Sequence, residues 1–158
     1  MPGVSVKKPV PVGGKIYEVA RQQGSRGQGF EGSSEMLKNY KELTVWQKAY
    51  YLCLDIYKIT KSFPMEEKYG LTSQVRRAAV SVPSNIAEGY GRKSTKEYLQ
   101  LLYVAYGSIC ELETQILLSG DLKYIETGDL ERLQQETGDV ERMLKALIKS
   151  LENKHLNS

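Results

Sequence analysis

Apolar residues recur at alternating spacings of three and four along four stretches of this 158-residue chain, and this repeat constrains the fold most strongly. Residues at that spacing share one face of a helix, whereas a strand requires alternation at every second position. The four stripes are Val45, Ala49, Leu52, Ile56, Ile59 and Phe63; Leu71, Val75, Ala78, Val82 and Ile86; Leu102, Ala105, Ile109, Leu112 and Ile116; and Leu130, Leu133, Thr137, Val140, Leu144, Leu147 and Leu151. Four such helices with short links predict an all-α fold, an antiparallel up-and-down four-helix bundle.

Polar residues before three of the stripes predict where the helices begin. Thr44, Ser94 and Thr127 each have a side-chain oxygen that can accept from a free backbone amide of the first turn. Ser94 and Glu97 also match the capping-box pattern, in which the two residues satisfy each other's amides. We therefore expect these three residues to be N-caps.

Glycine and proline predict the interruptions. Gly89 and Gly91 are expected to end the second helix, because glycine readily takes the left-handed conformation at a C-terminus. Pro83 lies inside the same stripe and removes one backbone hydrogen bond, so a bend is expected there without a break. The small residues Ala105, Gly107 and Ser108 on the third helix predict a close approach by a neighbouring helix.

Composition divides the chain at about residue 40. Residues 1–40 contain seven of the fourteen glycines, three of the five prolines and few large apolar side chains. Burial of so little apolar surface does not offset the loss of chain entropy, so this segment is predicted to be a flexible arm before a bundle domain of residues 41–158. The arm has six Lys and Arg against three Asp and Glu, whereas residues 41–158 have sixteen of each. A nucleic-acid surface on the neutral domain would therefore need local clustering of charge.

The chain lacks the residues that several classes of function require. The only histidine is His155 in the tail, which removes the paired Glu-x-x-His motifs of di-metal bundles and the usual nucleophile–base pairs. Cys53 and Cys110 lack the paired spacing of a zinc site. We therefore expect no enzyme, metal or cofactor. No stretch approaches the roughly 18 apolar residues of a membrane span, and no apolar signal segment begins the chain, so a cytoplasmic protein without a membrane partner is predicted.

A polar seam runs beside the second apolar stripe. If Arg77, Asn85, Glu88 and Glu111 face inward, they must satisfy one another, because an unpaired buried charge costs several kcal/mol. A structural polar network of these four residues is the first interpretation. A subunit interface or a ligand-contacting surface remains the alternative.

Basic residues cluster near the second and third stripes. The candidate nucleic-acid-binding residues are Arg76, Arg77, Arg92, Lys93 and Lys96. Three of them surround a corner beside Tyr90 and the start of the third helix, whose free amides and dipole favour phosphate. A solvated helix end is the alternative interpretation. A second hypothesis, a protein-binding scaffold, places the contact on Tyr50, Tyr57, Tyr98 and Tyr103.

Three motifs carry a resemblance that covers about three quarters of the chain. They are F-P-x-x-E/K-x-Y-G-L at 63–71, S-Q-V-R-R-A-A-V-S-V-P-S-N-I-A-E-G-Y-G-R at 73–92 and Y-G-S-I-C-E-L-E-T-Q at 106–115. The chain resembles the four-helix-bundle proteins encoded by the intervening sequence of bacterial 23S ribosomal RNA genes.

The resemblance implies a homopentameric bundle with a role in binding RNA or DNA and no catalytic residues. Accessory variability determinant proteins of diversity-generating retroelements are similar in fold, and they are basic pentamers that bind nucleic acid and partner a reverse transcriptase. The neutral domain differs from their basic character. The leading hypothesis is a non-enzymatic homo-oligomer that binds structured RNA, and the alternative is a protein scaffold, including a reverse-transcriptase partner.

Overall fold

The computed structural model describes residues 37–158, which form one compact unit. Four helices make up this unit: α1 (Thr44–Ile59), α2 (Leu71–Tyr90), α3 (Thr95–Asp121) and α4 (Thr127–Leu156). Short 3₁₀ turns occur at Tyr40–Glu42, Thr60–Ser62 and Met65–Glu67, and none of the described residues is in a strand. Residues 1–36 of the predicted flexible arm, which spans residues 1–40, lie outside the described residues.

Each helix packs against its neighbours in sequence, and α1 also packs against α4, which closes the bundle. Polar contacts reinforce the packing between the helices. Ser81 on α2 is hydrogen-bonded to Ser108 on α3 at 2.7 Å, and Tyr103 on α3 donates to Glu152 on α4. Arg132 on α4 forms an ion pair with Asp55 on α1 at 3.0 Å. The short links reverse the chain direction at every step, so the predicted four-helix bundle is confirmed.

The apolar stripes meet in a single core. Its largest fully buried side chains come from all four helices: Leu52, Ile56, Val75, Val82, Ile86, Leu102, Ile109, Leu112, Ile116, Leu133, Val140 and Leu144. Each of these residues belongs to a stripe that the sequence predicts. Apolar spacing identified this core because burial on one helix face follows the 3.6-residue period.

The helix starts predicted at Thr44 and Thr127 are correct, but of the three predicted N-caps only Ser94 is confirmed. The Ser94 hydroxyl accepts from the backbone amide of Glu97 at 3.2 Å and caps α3 as predicted. Thr44 and Thr127 are instead the first helical residues, and their N-cap positions are Leu43 and Glu126, without a side-chain cap. Capping requires extended backbone, and at both places the extended residue is the one before the threonine.

Glycine has a packing function in this fold more than a conformational one. Gly91 ends α2 with φ −77°, in the right-handed region, so the predicted left-handed end is wrong. A Cβ atom on Gly89 would lie 2.8 Å from the Tyr98 ring, which shows how closely α3 approaches α2. Of the three small residues on α3 predicted to admit a neighbouring helix, Ala105 and Ser108 are buried, and Ser108 is hydrogen-bonded to Ser81 on α2. Gly107 is exposed and takes no part in this packing. Pro83 is buried inside α2, which continues through it.

Candidate nucleic-acid interface

The corner between α2 and α3 presents three exposed cations. Arg92, Lys93 and Lys96 all lie on the surface, around the Ser94 cap. Arg92 forms an ion pair with Glu88 one turn earlier on α2. Lys93 and Lys96 have no ion-pair partner among the described residues. Positive charge at this corner is therefore available to an outside anion.

The start of α3 adds a weaker attraction for anions. Free amides and the helix dipole favour negative charge at a helix N-terminus. The chain itself already occupies part of this anion site. The Ser94 hydroxyl accepts from the backbone amide of Glu97 and donates to the Glu97 carboxylate at 2.8 Å. The exposed lysine side chains are therefore the principal electrostatic feature of the corner.

The predicted basic cluster is divided along the length of α2. Arg76 and Arg92 are sixteen residues apart, which is roughly 24 Å of helix axis. Arg76 is half-buried, and its Nε donates to the Thr60 hydroxyl at 2.8 Å while its guanidinium covers the Tyr57 ring at 4.8 Å from the centroid. These contacts hold α2 against the end of α1. The prediction that Arg76 joins one surface with the corner is wrong, because the helical rise separates them.

Arg77 belongs to a third place, an open polar groove between α2 and α3. The groove has a volume of about 450 Å³ and is lined by Gln74, Arg77, Ala78, Ser81, Ser108 and Glu111. Arg77 and Glu111 are exposed on its opposite walls. The groove is polar on both sides and is separate from the corner.

The predicted structural polar network of Arg77, Asn85, Glu88 and Glu111 does not form within the bundle. Asn85 donates to Ser81, and Glu88 pairs with Arg92. No hydrogen bond among the described residues links the four to one another. The correction has a simple cause: Arg77, Glu88 and Glu111 are exposed, so water satisfies charges that an inward orientation would have had to pair.

The fold adds basic residues that sequence reasoning missed. Because the helices alternate in direction, the start of α1, the α2–α3 corner and the end of α4 lie at the same end of the bundle. We define the basic end as residues 37–43, 90–97 and 149–158. It has seven Lys and Arg against three Asp and Glu. The cations are Lys38, Lys41, Arg92, Lys93, Lys96, Lys149 and Lys154.

The opposite end has the reverse charge. We define the acidic end as the two links, residues 60–70 and 121–131, which have six Asp and Glu against three Lys. The Tyr124 hydroxyl donates to Glu67 at 3.3 Å, and its ring packs 5.5 Å from Phe63, so the two links are in contact. A neutral domain thus separates its charge between two ends.

Two tyrosines brace the basic end. The Tyr90 ring packs edge-on against Tyr98 with centroids 6.2 Å apart, and the Tyr90 hydroxyl donates to the Leu37 carbonyl at 2.9 Å. Burial raises the pKa of Tyr98 to about 12, with a further contribution from Tyr90. Tyr98 is therefore a packing residue, and Tyr90 connects the corner to the segment before α1.

Comparison with known proteins places this fold in a family. The family model for the 23S rRNA-intervening sequence protein matches residues 41–146, about two thirds of the chain. The chain belongs to this family. The predicted resemblance is confirmed, and no curated protein matches the chain.

A solved structure supports the fold. It is the crystal structure of a protein of unknown function from the S23 ribosomal protein family of Bacteroides thetaiotaomicron. The two chains are 21% identical with a TM-score of 0.63, over 66% of this chain and 98% of the other. Within the present chain, the family match includes Arg92, Lys93 and Lys96, whereas Lys38, Lys149 and Lys154 lie outside it.

The part of the chain that the structure describes has neither a metal-binding cluster nor a membrane-spanning helix. No three His, Cys, Asp or Glu side chains there are arranged to hold a metal ion. No helix of residues 37–158 is both long and apolar enough to cross a membrane.

Proposed function

We propose that this protein is a non-enzymatic, nucleic-acid-binding bundle whose basic end contacts the phosphates of structured RNA. One observation carries the proposal: three segments that are distant in sequence bring seven Lys and Arg to one end of a neutral domain. The opposite end has a majority of acidic residues, so a polyanion is attracted to the basic end of the domain and repelled by the acidic end.

Physical chemistry favours a phosphate ligand at the basic end. A polyanion gains affinity when protein cations replace its condensed counterions, and this gain does not require base-specific contacts. Lys93 and Lys96 flank the N-terminus of α3, whose dipole adds to their attraction. The family description refers to the 23S rRNA intervening sequence, so a stem-loop RNA of that kind is the first probe.

Binding of a labelled stem-loop RNA at several salt concentrations tests the proposal. For about four phosphate contacts, affinity should fall roughly a hundredfold when the salt concentration rises fourfold. The slope of log affinity against log salt gives the number of contacts. Absence of binding at low salt would reject the proposal.

We propose further that copies of the chain assemble, and the family resemblance suggests a pentamer. The polar groove between α2 and α3 supports this, since exposed Arg77 and Glu111 face each other across it and could pair with the same groove of another copy. Light scattering measures the mass, and a particle of 17.8 kDa at micromolar concentration would contradict assembly.

The acidic end favours a second candidate function, a scaffold for a protein partner. Met65 and Tyr69 in the α1–α2 link are 82% and 88% exposed, and Glu66 and Glu67 lie between them. Apolar side chains among carboxylates fit a basic protein surface, such as that of a reverse transcriptase. Co-purification with and without nuclease separates the two functions, because a direct protein partner is retained after nuclease treatment.

A further inference from the structure

Four aromatic rings form a continuous run before and within the first turns of α1. Tyr40 packs edge-on against Trp46 with centroids 5.2 Å apart, and Trp46 stacks on Tyr50 at 5.1 Å with an interplanar angle of 23°. Tyr51 follows edge-on at 5.8 Å from Tyr50. We call these four residues the aromatic run. All four are partly exposed in the folded protein.

The aromatic run adjoins the basic end through two hydrogen bonds. The Tyr90 hydroxyl at the corner donates to the Leu37 carbonyl at 2.9 Å. The Gln47 side chain on α1 donates to the Lys41 carbonyl at 2.7 Å. The segment before α1 therefore connects the corner to the rings, and exposed Lys38 and Lys41 flank Tyr40 within it.

A ring pair at the acidic end shows a different arrangement. Phe63 is 7% exposed, and Tyr124 is fixed against it by the Glu67 hydrogen bond, so that pair closes the end of the core. In the aromatic run, no hydrogen bond among the described residues uses the hydroxyl of Tyr40 or Tyr50. Their rings lie partly in solvent beside cations, an arrangement that suits base stacking with phosphate contacts.

We infer that the protein recognises unpaired nucleotides, whose bases stack on the aromatic run while their phosphates contact Lys38, Lys41 and the corner. This inference rests on the proposed function and narrows its ligand class to single-stranded segments, such as the loop of a stem-loop RNA. Bases in a duplex are already stacked on one another, so only unpaired bases can use the rings.

Trp46 is the only tryptophan in the chain, so its fluorescence reports directly on the aromatic run. The wild-type protein is titrated with oligouridine and with a blunt RNA duplex of equal length at the same salt concentration. We expect tighter binding of the single strand and quenching of Trp46 emission by the single strand alone. Binding of oligouridine without any change in Trp46 emission would overturn the inference.

A pair of variants adds a second measurement. Tyr50→Leu removes one ring but keeps an apolar side chain, and Tyr69→Leu makes the same change at the acidic end. Loss of one stacked base should weaken oligouridine binding about tenfold in Tyr50→Leu. Duplex binding should stay unchanged in both variants, and Tyr69→Leu should bind oligouridine as the wild type does.

The outcomes separate this inference from the proposed function. Failure of the wild type to bind either RNA rejects both. Equal affinity for the two RNAs, or equal losses in Tyr50→Leu, rejects the inference and leaves phosphate binding at the basic end. If Tyr50→Leu dissociates an oligomer while oligouridine binding is retained, the rings form a subunit contact and the inference is again rejected.

Discussion

The two ends of the bundle are built from the same parts but differ in charge and in how their links are fixed. At the acidic end, the two links contact each other through Tyr124, Phe63 and Glu67. At the basic end, the corner is only a few residues long, and Arg92, Lys93 and Lys96 extend from it into solvent. At the acidic end side chains join the two links to each other, whereas at the basic end Tyr90 joins the corner to the segment before α1 and the cations surround a capped helix start.

This difference shows why net charge is a poor guide to the partners of a helical bundle. Residues 41–158 have equal numbers of acidic and basic side chains. Up-and-down topology collects every second helix terminus at one end, so charges that are distant in sequence add locally. A partner meets the potential of one end, not the average over the chain.

Charge reversal at the two ends should give the largest contrast in nucleic-acid affinity. Lys93→Glu with Lys96→Glu should weaken RNA binding at least tenfold and reduce the salt slope by about two, because two phosphate contacts are lost. Both side chains are exposed, so the fold should be retained. Fluorescence anisotropy at several salt concentrations gives both quantities.

Lys58→Glu with Lys61→Glu is the matched control near the acidic end, since both residues are also exposed. If only the total positive charge of the protein mattered, RNA binding would be weakened to the same extent in both double variants. Equal losses would show that the two ends do not differ in function.

The next contrast concerns stability, since each end has a glycine against a facing side chain. A Cβ atom in Gly89→Ala would lie 3.2 Å from the Leu101 Cβ, which moves only with its backbone, so we expect a loss of about 1–3 kcal/mol. In Gly120→Ala the close atoms all belong to the Leu130 side chain, which can rotate. That loss should be smaller, and urea denaturation measures both.

Gly107→Ala is the control for helix propensity. Apart from its chain neighbours and the backbone of its own helix, nothing lies within 4 Å of an added Cβ atom, so alanine should stabilise the protein by roughly 0.5–1 kcal/mol. If Gly89→Ala is also stabilising, the contact between α2 and α3 at the basic end is looser than the structure indicates.

The smallest expected effect is the alkaline titration of Tyr98. Burial raises its pKa from 10.0 to about 12, so the folded protein keeps the proton that the unfolded chain loses. The resulting stability is complete below about pH 10 and decreases as the pH rises towards 12. The melting temperature of Tyr98→Phe should therefore decrease less than that of the wild type between about pH 10 and pH 12.

Tyr69→Phe at the acidic end is the comparison for this titration, because Tyr69 is 88% exposed. It removes the same hydroxyl group from a side chain that lies outside the core. Identical curves for Tyr98→Phe and the wild type would show that burial of Tyr98 does not control alkaline stability.

The sequence predicted the fold well where a single helix face decided the outcome. The stripes identified the core, and the Ser94 cap was predicted because residues three positions apart specify it. The N-caps predicted at Thr44 and Thr127 lie one position after the observed N-cap residues. Capping depends on the backbone angles of a single residue, and composition does not set those angles. Gly107 lies off the apolar stripe of α3 and is exposed, whereas Ala105 on the stripe and Ser108 beside it are buried.

The candidate site was predicted only in part. Arg92, Lys93 and Lys96 are neighbours in sequence and remain neighbours in the structure. Arg76 was included because it precedes the corner in the same motif, but the rise of α2 carries it towards the other end. Lys38, Lys149 and Lys154 were missed, since only the chain directions of the helices bring them to the corner.

The sequence by itself determined the four helices, their buried faces and the family, because apolar periodicity and local motifs are properties of neighbouring residues. The tertiary structure decided which helix ends lie together, and hence the basic end, the acidic end and the position of the aromatic run. Charges and rings from separate segments act as one surface only when packing brings them together, and no local pattern encodes that arrangement.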